Sequence, residues 1–295
     1  DSSDRPRIGY QSSDSDAMIA YNNSGSGDEW QTIEVWDSFD VGSHMSITLD
    51  YDSGTAFMAY RQNDWPADGG LLTTFHTGTE IASNGVASSG DASNSNGMSP
   101  EIHFSGSAIV SPFLNGTDGD ATNQDISMAT LRPERPVITT VEGESSSVGS
   151  YGISMALDGS GNQHISFYNN TASSLMYAAF DGTSWEVEEV DNEGSTGRYS
   201  SIAVDHEGNP HIAYVNESTT PRQVLYAHHN GTSWSTEVVD TPYYAYDTSI
   251  ELGSDGTAHI TYAVYNSSGN HYNLRYSHHN GTEWVQEDVM DYGST

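Results

Sequence analysis

Residues 201–240 read SIAVDHEGNPHIAYVNESTTPRQVLYAHHNGTSWSTEVVD, and they decide the fold. Four short runs rich in Val, Ile, Tyr and Ala stand out: Ser201–Asp205, His211–Tyr214, Val224–His228 and Trp234–Val239. A tight glycine turn (Asp205–Gly208), a polar loop (Asn216–Arg222) and a second glycine turn (Asn230-Gly231) separate them. β-Branched and aromatic side chains suit a pleated surface, while Gly, Asn, Asp and Pro break it. The stretch therefore predicts a four-stranded unit.

The unit recurs in both directions. Gly-x-x-Trp turns place Trp185, Trp234 and Trp284 at spacings of 49 and 50 residues, and Trp30 closes an earlier copy. A second marker keeps the same ruler: His164-Ile-Ser-Phe167, His211-Ile-Ala-Tyr214 and His259-Ile-Thr-Tyr262 each follow a turn that begins six residues earlier. Repeats of this length with four strands each predict a β-propeller, and no 3.6-residue periodicity survives beyond one turn. The expectation is an all-β, six-bladed propeller in one domain, with blades at about 1–37, 45–87, 100–142, 151–191, 200–240 and 248–291. The polar stretch Ala87–Ser99 reads as a long surface loop.

Blade 1 breaks the pattern, because nothing matching Ser201–Val204 precedes Pro6–Tyr10. It is expected to lack its innermost strand and to leave a sheet edge open for pairing. The filler is expected from outside residues 1–295, either flanking sequence or a strand donated by a neighbouring subunit in a filament. Asp1–Arg5 or Tyr292–Thr295 folding back would remove that need.

Forty-one acidic residues against eight Arg, with no Lys, give a net charge of −33. Such a field repels nucleic acid and anionic membranes, both of which need cationic patches. It favours cations and resembles the surface chemistry of salt-adapted proteins. Cysteine is absent, which removes disulfide and thiolate chemistry. No run approaches the ~18 apolar residues of a membrane span. Seven Asn-x-Ser/Thr sequons, at Asn22, Asn115, Asn169, Asn216, Asn230, Asn266 and Asn280, are candidate glycosylation sites. Together with the acidity they point to an extracellular or cell-surface glycoprotein.

With the Gly-x-x-Trp turns in view, the chain resembles secreted propellers with Asp-box (sialidase-type) repeats, whose box reads Ser-x-Asp-x-Gly-x-x-Trp. Ser277-His-His279-Asn-Gly281-Thr-Glu-Trp284 keeps Ser, Gly and Trp but has His279 at the Asp position, and the copy ending at Trp234 keeps less. The resemblance covers roughly four blades and implies a fold rather than an activity. Sialidases bind their substrate through an arginine cluster beside a Tyr/Glu pair, and no stretch here matches that motif. The resemblance extends to propeller lectins and polysaccharide lyases.

Candidate sites follow from the repeat. Phe39, Tyr151, Arg198, Tyr199, Tyr243, Tyr244 and Tyr246 fall in the connections between blades, and Trp65 joins them from its own loop. In a propeller these segments share one face with the loops after each second strand. Tyr and Trp there suit sugar stacking or a protein interface, or else they seal blade contacts. His164, His211 and His259, at one repeat position, are read as inter-blade packing residues bonded to neighbouring backbone. The pairs His228-His229 and His278-His279 point to opposite faces of their strands and chelate no single ion. Asp118, Asp120 and Asp125 sit on one loop that offers oxygen ligands to a hard cation such as calcium.

No nucleophile elbow, HExxH or phosphate loop is present. The leading expectation is a non-catalytic module of a cell-surface assembly, partnered by neighbouring subunits or surface proteins. A glycan-binding propeller and a polysaccharide-active enzyme are the alternatives.

Overall fold

A computed structural model describes the strand residues between positions 7 and 142 together with Ile102, and then residues 148–266 and 271–290. Every described element is a strand or a turn. The chain divides into two compact units, Asp1–Ser145 and Ser146–Thr295.

The first unit holds three antiparallel sheets. One has three strands: β1 (Arg7–Gln11), β2 (Ala17–Asn22) and β3 (Trp30–Trp36). The next contains β4 (Val41–Leu49), β5 (Ala56–Gln62), β6 (Gly70–His76) and β7 (Ile81–Ser88). The third contains β8 (His103–Ser105), β9 (Ala108–Gly116), β10 (Gln124–Leu131) and β11 (Val137–Glu142). Strands pair in chain order throughout, so each sheet is a simple meander. Among the described residues β1 forms an edge, as expected for a first blade without its innermost strand. The segments weighed as possible fillers, 1–5 and 292–295, lie outside the described residues.

The second unit repeats one four-stranded meander three times. Blade 4 is β12 (Val148–Leu157), β13 (Gln163–Asn169), β14 (Ser174–Phe180) and β15 (Trp185–Asp191). Blade 5 is β16 (Thr196–Val204), β17 (Pro210–Asn216), β18 (Gln223–His229) and β19 (Trp234–Asp240). Blade 6 is β20 (Ala245–Leu252), β21 (Ala258–Asn266), β22 (His271–His279) and β23 (Trp284–Met290).

Burial explains why the second strand of each blade reads as a continuous apolar run. Every residue of β17 is buried, because a neighbouring sheet covers each of its faces. Ile212 and Tyr214 pack with Leu175 and Tyr177 of blade 4. Ala213 and Val215, pointing the other way, pack with Ala245, Ile250, Ile260 and Tyr262 of blade 6. Side chains alternate faces along a strand, so a two-sided core needs apolar residues at every position. Each fully buried large side chain contributes about 1.5–3 kcal/mol relative to exposure. The outermost strand β19, by contrast, is mostly exposed.

The innermost strands are stapled across blades by serine. Ser154 Oγ accepts from the Ile202 amide at 3.2 Å, and Ser201 Oγ accepts from the Ile250 amide at 3.2 Å. In the first unit Ser46 Oγ accepts from the Ile102 amide at 3.3 Å. Inner edges that would otherwise leave amides unpaired are thus satisfied side to backbone.

These inner strands also start earlier than their sequence suggests. In blade 5 the strand begins at Thr196 rather than Ser201, and it reaches there through a bulge between Thr196 and Ser201. The same irregularity falls between Val148 and Ile153 in blade 4 and between Tyr246 and Ser249 in blade 6. Positive φ marks each bulge: Gly152 at 113° in blade 4, Gly197 at 103° and Tyr199 at 55° in blade 5, and Asp247 at 49° in blade 6. For tyrosine that conformation costs about 1–2 kcal/mol. The bulge hides the strand in the sequence, because it interrupts the period of two with polar residues.

Candidate functional site

The bulged strand ends carry the main cluster. Tyr151, Arg198, Tyr199 and Tyr246 lie on β12, β16 and β20 themselves, not in the connections where the sequence placed them. Tyr243 and Tyr244 do occupy a connection, the one between β19 and β20. Phe39 and Trp65 lie outside the described residues.

The rings form one continuous aromatic row. Tyr168 meets Tyr151 at 5.7 Å between centroids, Tyr151 meets Tyr199 at 6.2 Å, and Tyr199 meets Tyr246 at 5.6 Å. The row continues through Tyr272 (5.8 Å), Tyr265 (5.1 Å), Tyr244 (5.9 Å) and Tyr243 (4.8 Å). Edge-to-face packing dominates, as ring quadrupoles favour. Tyr243 and Tyr272 are each 56% exposed, so the far end of the row presents ring surface to solvent.

Two arginines are set into this row. The Arg198 guanidinium lies 3.7 Å above the Tyr151 ring, and Arg222 lies 4.9 Å from the Tyr246 ring centroid. Both hold the same carboxylate: Glu217 receives Arg198 Nη1 at 2.6 Å and Arg222 Nη1 at 2.5 Å. Glu217 is anchored in turn by its amide, which donates to Ser195 O at 3.0 Å. Of this cluster, Tyr168, Glu217, Arg222, Tyr265 and Tyr272 were not anticipated. One signal was available for Arg222, since any cation is conspicuous in a chain with eight Arg and no Lys.

At the opposite strand ends sits a repeated Asp–His–Tyr arrangement. His164, His211 and His259 bond through Nδ1 to Tyr177, Tyr226 and Tyr276, each at 2.5 Å. Burial, reinforced by the nearby Glu188 and Glu237 carboxylates, pushes the Tyr177 and Tyr226 hydroxyls far above their ordinary range. They therefore remain protonated and donate to Nδ1, which leaves the histidine hydrogen on Nε2. That nitrogen faces Asp158 at 3.9 Å in blade 4 and Asp205 at 3.5 Å in blade 5. The histidine partner is thus a tyrosine hydroxyl, not the backbone group expected from sequence.

Tyr177 and Tyr226 are also covered by the next blade's Gly-x-x-Trp tryptophan. Trp234 meets Tyr177 at 5.2 Å, and its indole N–H donates to Glu188 at 2.9 Å. Trp284 meets Tyr226 at 5.2 Å and donates to Glu237 at 3.0 Å. His164 and His211 are 7% and 9% exposed, so in blades 4 and 5 these histidines join blades and are largely withdrawn from solvent.

The sequons separate into two groups. Asn230 and Asn280 are exposed and cap their turns, with Oδ1 accepting from the amides of Thr232 and Ser233, and of Thr282 and Glu283. Asp181 caps the equivalent turn in blade 4, so the turn itself explains these asparagines. Asn169 plays the same part for Thr171 and Ala172. Asn216 is different: it is 5% exposed, its Nδ2 donates to Glu193 O, and its Oδ1 accepts from the Ser218 amide and hydroxyl. Expressed in a glycosylating host, the protein is expected to carry glycans at Asn230 and Asn280 and none at Asn216. Peptide mapping by mass spectrometry checks this, and a glycan on Asn216 would contradict the packing. The side chains of Asn22, Asn115 and Asn266 lie outside the described residues.

The loop read as a candidate calcium site also lies largely outside the described residues. Asp118 and Asp120 lie beyond the described residues, and of Asp125 only the backbone, on β10, is described. Among the described residues no group of three or more His, Asp or Glu is placed to hold a metal ion.

The architecture defines the class of protein: a β-propeller whose sheets are its blades. No protein-family model matches the sequence, and no curated protein matches it. Solved structures do share the fold. An ulvan lyase, a polysaccharide lyase bound to a GlcA(1-4)Rha3S saccharide, superimposes with a TM-score of 0.67 at 13% identity, covering 96% of this chain and 80% of its own. The Aleuria aurantia lectin, a six-bladed β-propeller with a fucose recognition mode, gives 0.56 at 13% identity over 99% and 92%. An α-L-arabinanase from Penicillium chrysogenum, complexed with arabinobiose, gives 0.52 at 12% identity over 82% and 80%. At such identities the likeness extends to the fold alone, which is the six-bladed propeller expected from the repeat.

Proposed function

We propose that this protein is a non-catalytic, carbohydrate-binding propeller that acts outside the cell through its tyrosine-lined face. The observation that carries the reading is the row from Tyr168 to Tyr243, interrupted by two arginines and one carboxylate. Exposed tyrosine rings offer apolar faces for sugar C–H groups, and their hydroxyls and the arginines offer hydrogen bonds. The solved structures of similar fold include a fucose-recognising lectin, a polysaccharide lyase and an arabinanase, which supports a saccharide as the ligand class. The Asp–His–Tyr sets of blades 4 and 5 are buried and joined to packing, which supports the tyrosine face rather than these sets as the place of binding. An adhesive role follows where the glycan belongs to another surface.

The test is a glycan array followed by calorimetry on the best binder. Tyr243→Ala and Tyr272→Ala are each expected to weaken binding about tenfold, in line with the ~1–3 kcal/mol carried by an aromatic contact. Both positions are exposed, so thermal unfolding should stay near that of the parent. Absence of binding to any glycan would refute the proposal, as would release of cleaved products.

A further inference from the structure

The arginine pair beside the aromatic row already holds an anion, and that anion belongs to the protein. Arg198 and Arg222 each direct one N–H to Glu217, at 2.6 and 2.5 Å, and Arg222 Nη1 also donates to Ala245 O at 3.2 Å. The three side chains are half-buried, at 22%, 18% and 12% exposure, so the ion pairs are partly shielded from water and salt yet keep one side open to a ligand. A bridging carboxylate between two guanidiniums is among the strongest arrangements these groups form.

From this geometry we infer that Glu217 is a specificity residue that reserves the tyrosine face for neutral saccharides and excludes acidic ones. The inference rests on the carbohydrate-binding reading above and narrows it. A uronate or sulfate ester seeking these arginines must displace Glu217 or crowd a second anion against it. Displacement strands a carboxylate that is 12% exposed, and crowding places like charges at close range. The long-range field acts in the same direction, since a chain of net charge −33 repels a polyanion before contact. A neutral sugar meets neither barrier. Its hydroxyls accept from the remaining guanidinium N–H groups and donate to the Glu217 oxygens, while the pyranose face lies on the exposed rings of Tyr243 and Tyr272. Unlike a salt bridge, such a contact set has little dependence on ionic strength.

The experiment compares the full chain and Glu217→Gln against two groups of polysaccharides by calorimetry and affinity electrophoresis. Galactan, arabinan and fucosylated glycans form the neutral group, and ulvan and alginate the acidic one, each at 20 mM and 500 mM NaCl. The parent protein is expected to bind a neutral glycan with less than about threefold change between the two salts. It is expected to bind neither acidic polymer. Glu217→Gln frees the arginine pair and is expected to bring acidic binding up at least about tenfold at low salt, weakening as salt rises. Parent protein that prefers an acidic polymer overturns this inference while leaving the carbohydrate reading standing. So does a Glu217→Gln variant that melts like the parent yet gains no acidic binding. Failure to bind either group sinks the carbohydrate reading itself. Should Glu217→Gln fail to fold, Glu217→Ser is read in the same comparison, and a parent that prefers an acidic polymer still overturns the inference.

Discussion

Tyr214→Ala is expected to lower the unfolding free energy by about 3–5 kcal/mol, the range for removing a large buried aromatic side chain. Tyr214 is fully buried in the cluster between blades 4 and 5, among Leu175, Tyr177, Ile202, Ile212 and Leu225. Its hydroxyl reaches across the blade boundary to Asp191 Oδ2 at 2.7 Å. Burial and the Asp191 charge keep that hydroxyl protonated, so it donates to the carboxylate. Truncation therefore opens a cavity, removes the strut between two sheets and leaves Asp191 one donor short. Tyr214→Phe keeps the ring and loses only the hydrogen bond, and is expected to cost about 1 kcal/mol. Tyr262, which donates to Asp240 at 2.6 Å, marks the equivalent strut between blades 5 and 6. Denaturant titrations of the two Tyr214 variants check the ordering. An alanine variant no less stable than the phenylalanine variant would contradict the packing described.

Stability is expected to fall steadily as pH drops from 7 toward 5, before carboxylate protonation begins. Burial pushes the pKa of His164 and His211 below the ordinary histidine value, and the neighbouring Asp158 and Asp205 only partly oppose it. A base with a lower pKa in the folded state takes up its proton first in the unfolded chain. Stability is thus unaffected above about pH 6.5 and is lost as pH falls below it, levelling off at the folded-state pKa. Each histidine contributes a slope of at most about 1.4 kcal/mol per pH unit, so the pair approaches about 2.8. Asp158 and Asp205 extend the loss at lower pH. Burial raises both, but hydrogen bonds from Asn162 and Ser160, and from Asn209 and Glu207, outweigh it and hold them below the ordinary aspartate value. Their contribution is present above about pH 4 and disappears as pH falls through the depressed values. Urea titrations at pH 7, 6 and 5 read the histidine part directly. Replacing both His164 and His211 by glutamine should flatten it, and a profile already flat in the parent would remove the assignment.

The propeller was legible in the sequence because its cause is local and repeated. Glycine and aspartate turns recur at fixed distances from apolar runs, and each Gly-x-x-Trp turn marks the same junction between third and fourth strands. Trp185, Trp234 and Trp284 start β15, β19 and β23, as their spacing implied. The short first blade was legible for the same reason, as a gap in a periodic pattern. Strand-level contacts obey short-range rules of backbone geometry and face alternation, and one copy checks another.

The site was legible only in its residue types. Sequence separation says nothing about Arg198 and Arg222 meeting on Glu217, or about Tyr168 and Tyr272 extending a row begun by Tyr151 and Tyr199. The arginine contacts lie within blade 5 and those of Tyr168 and Tyr272 within blades 4 and 6, set by loop and strand packing, while the links from Tyr151 to Tyr199 and from Tyr199 to Tyr246 run between blades and depend on how one sheet lies on the next. The bulges that carry Tyr151, Tyr199 and Tyr246 outward break the alternation that identifies a strand, so they read as loop. Asn216 shows the converse: its sequon is a perfect local motif, yet its amide is enclosed by Glu193 and Ser218. Turn chemistry and periodicity are properties of the chain, and they determined the blades. Side-chain partnership and solvent access are properties of the packed sheets, and only the tertiary structure decided them.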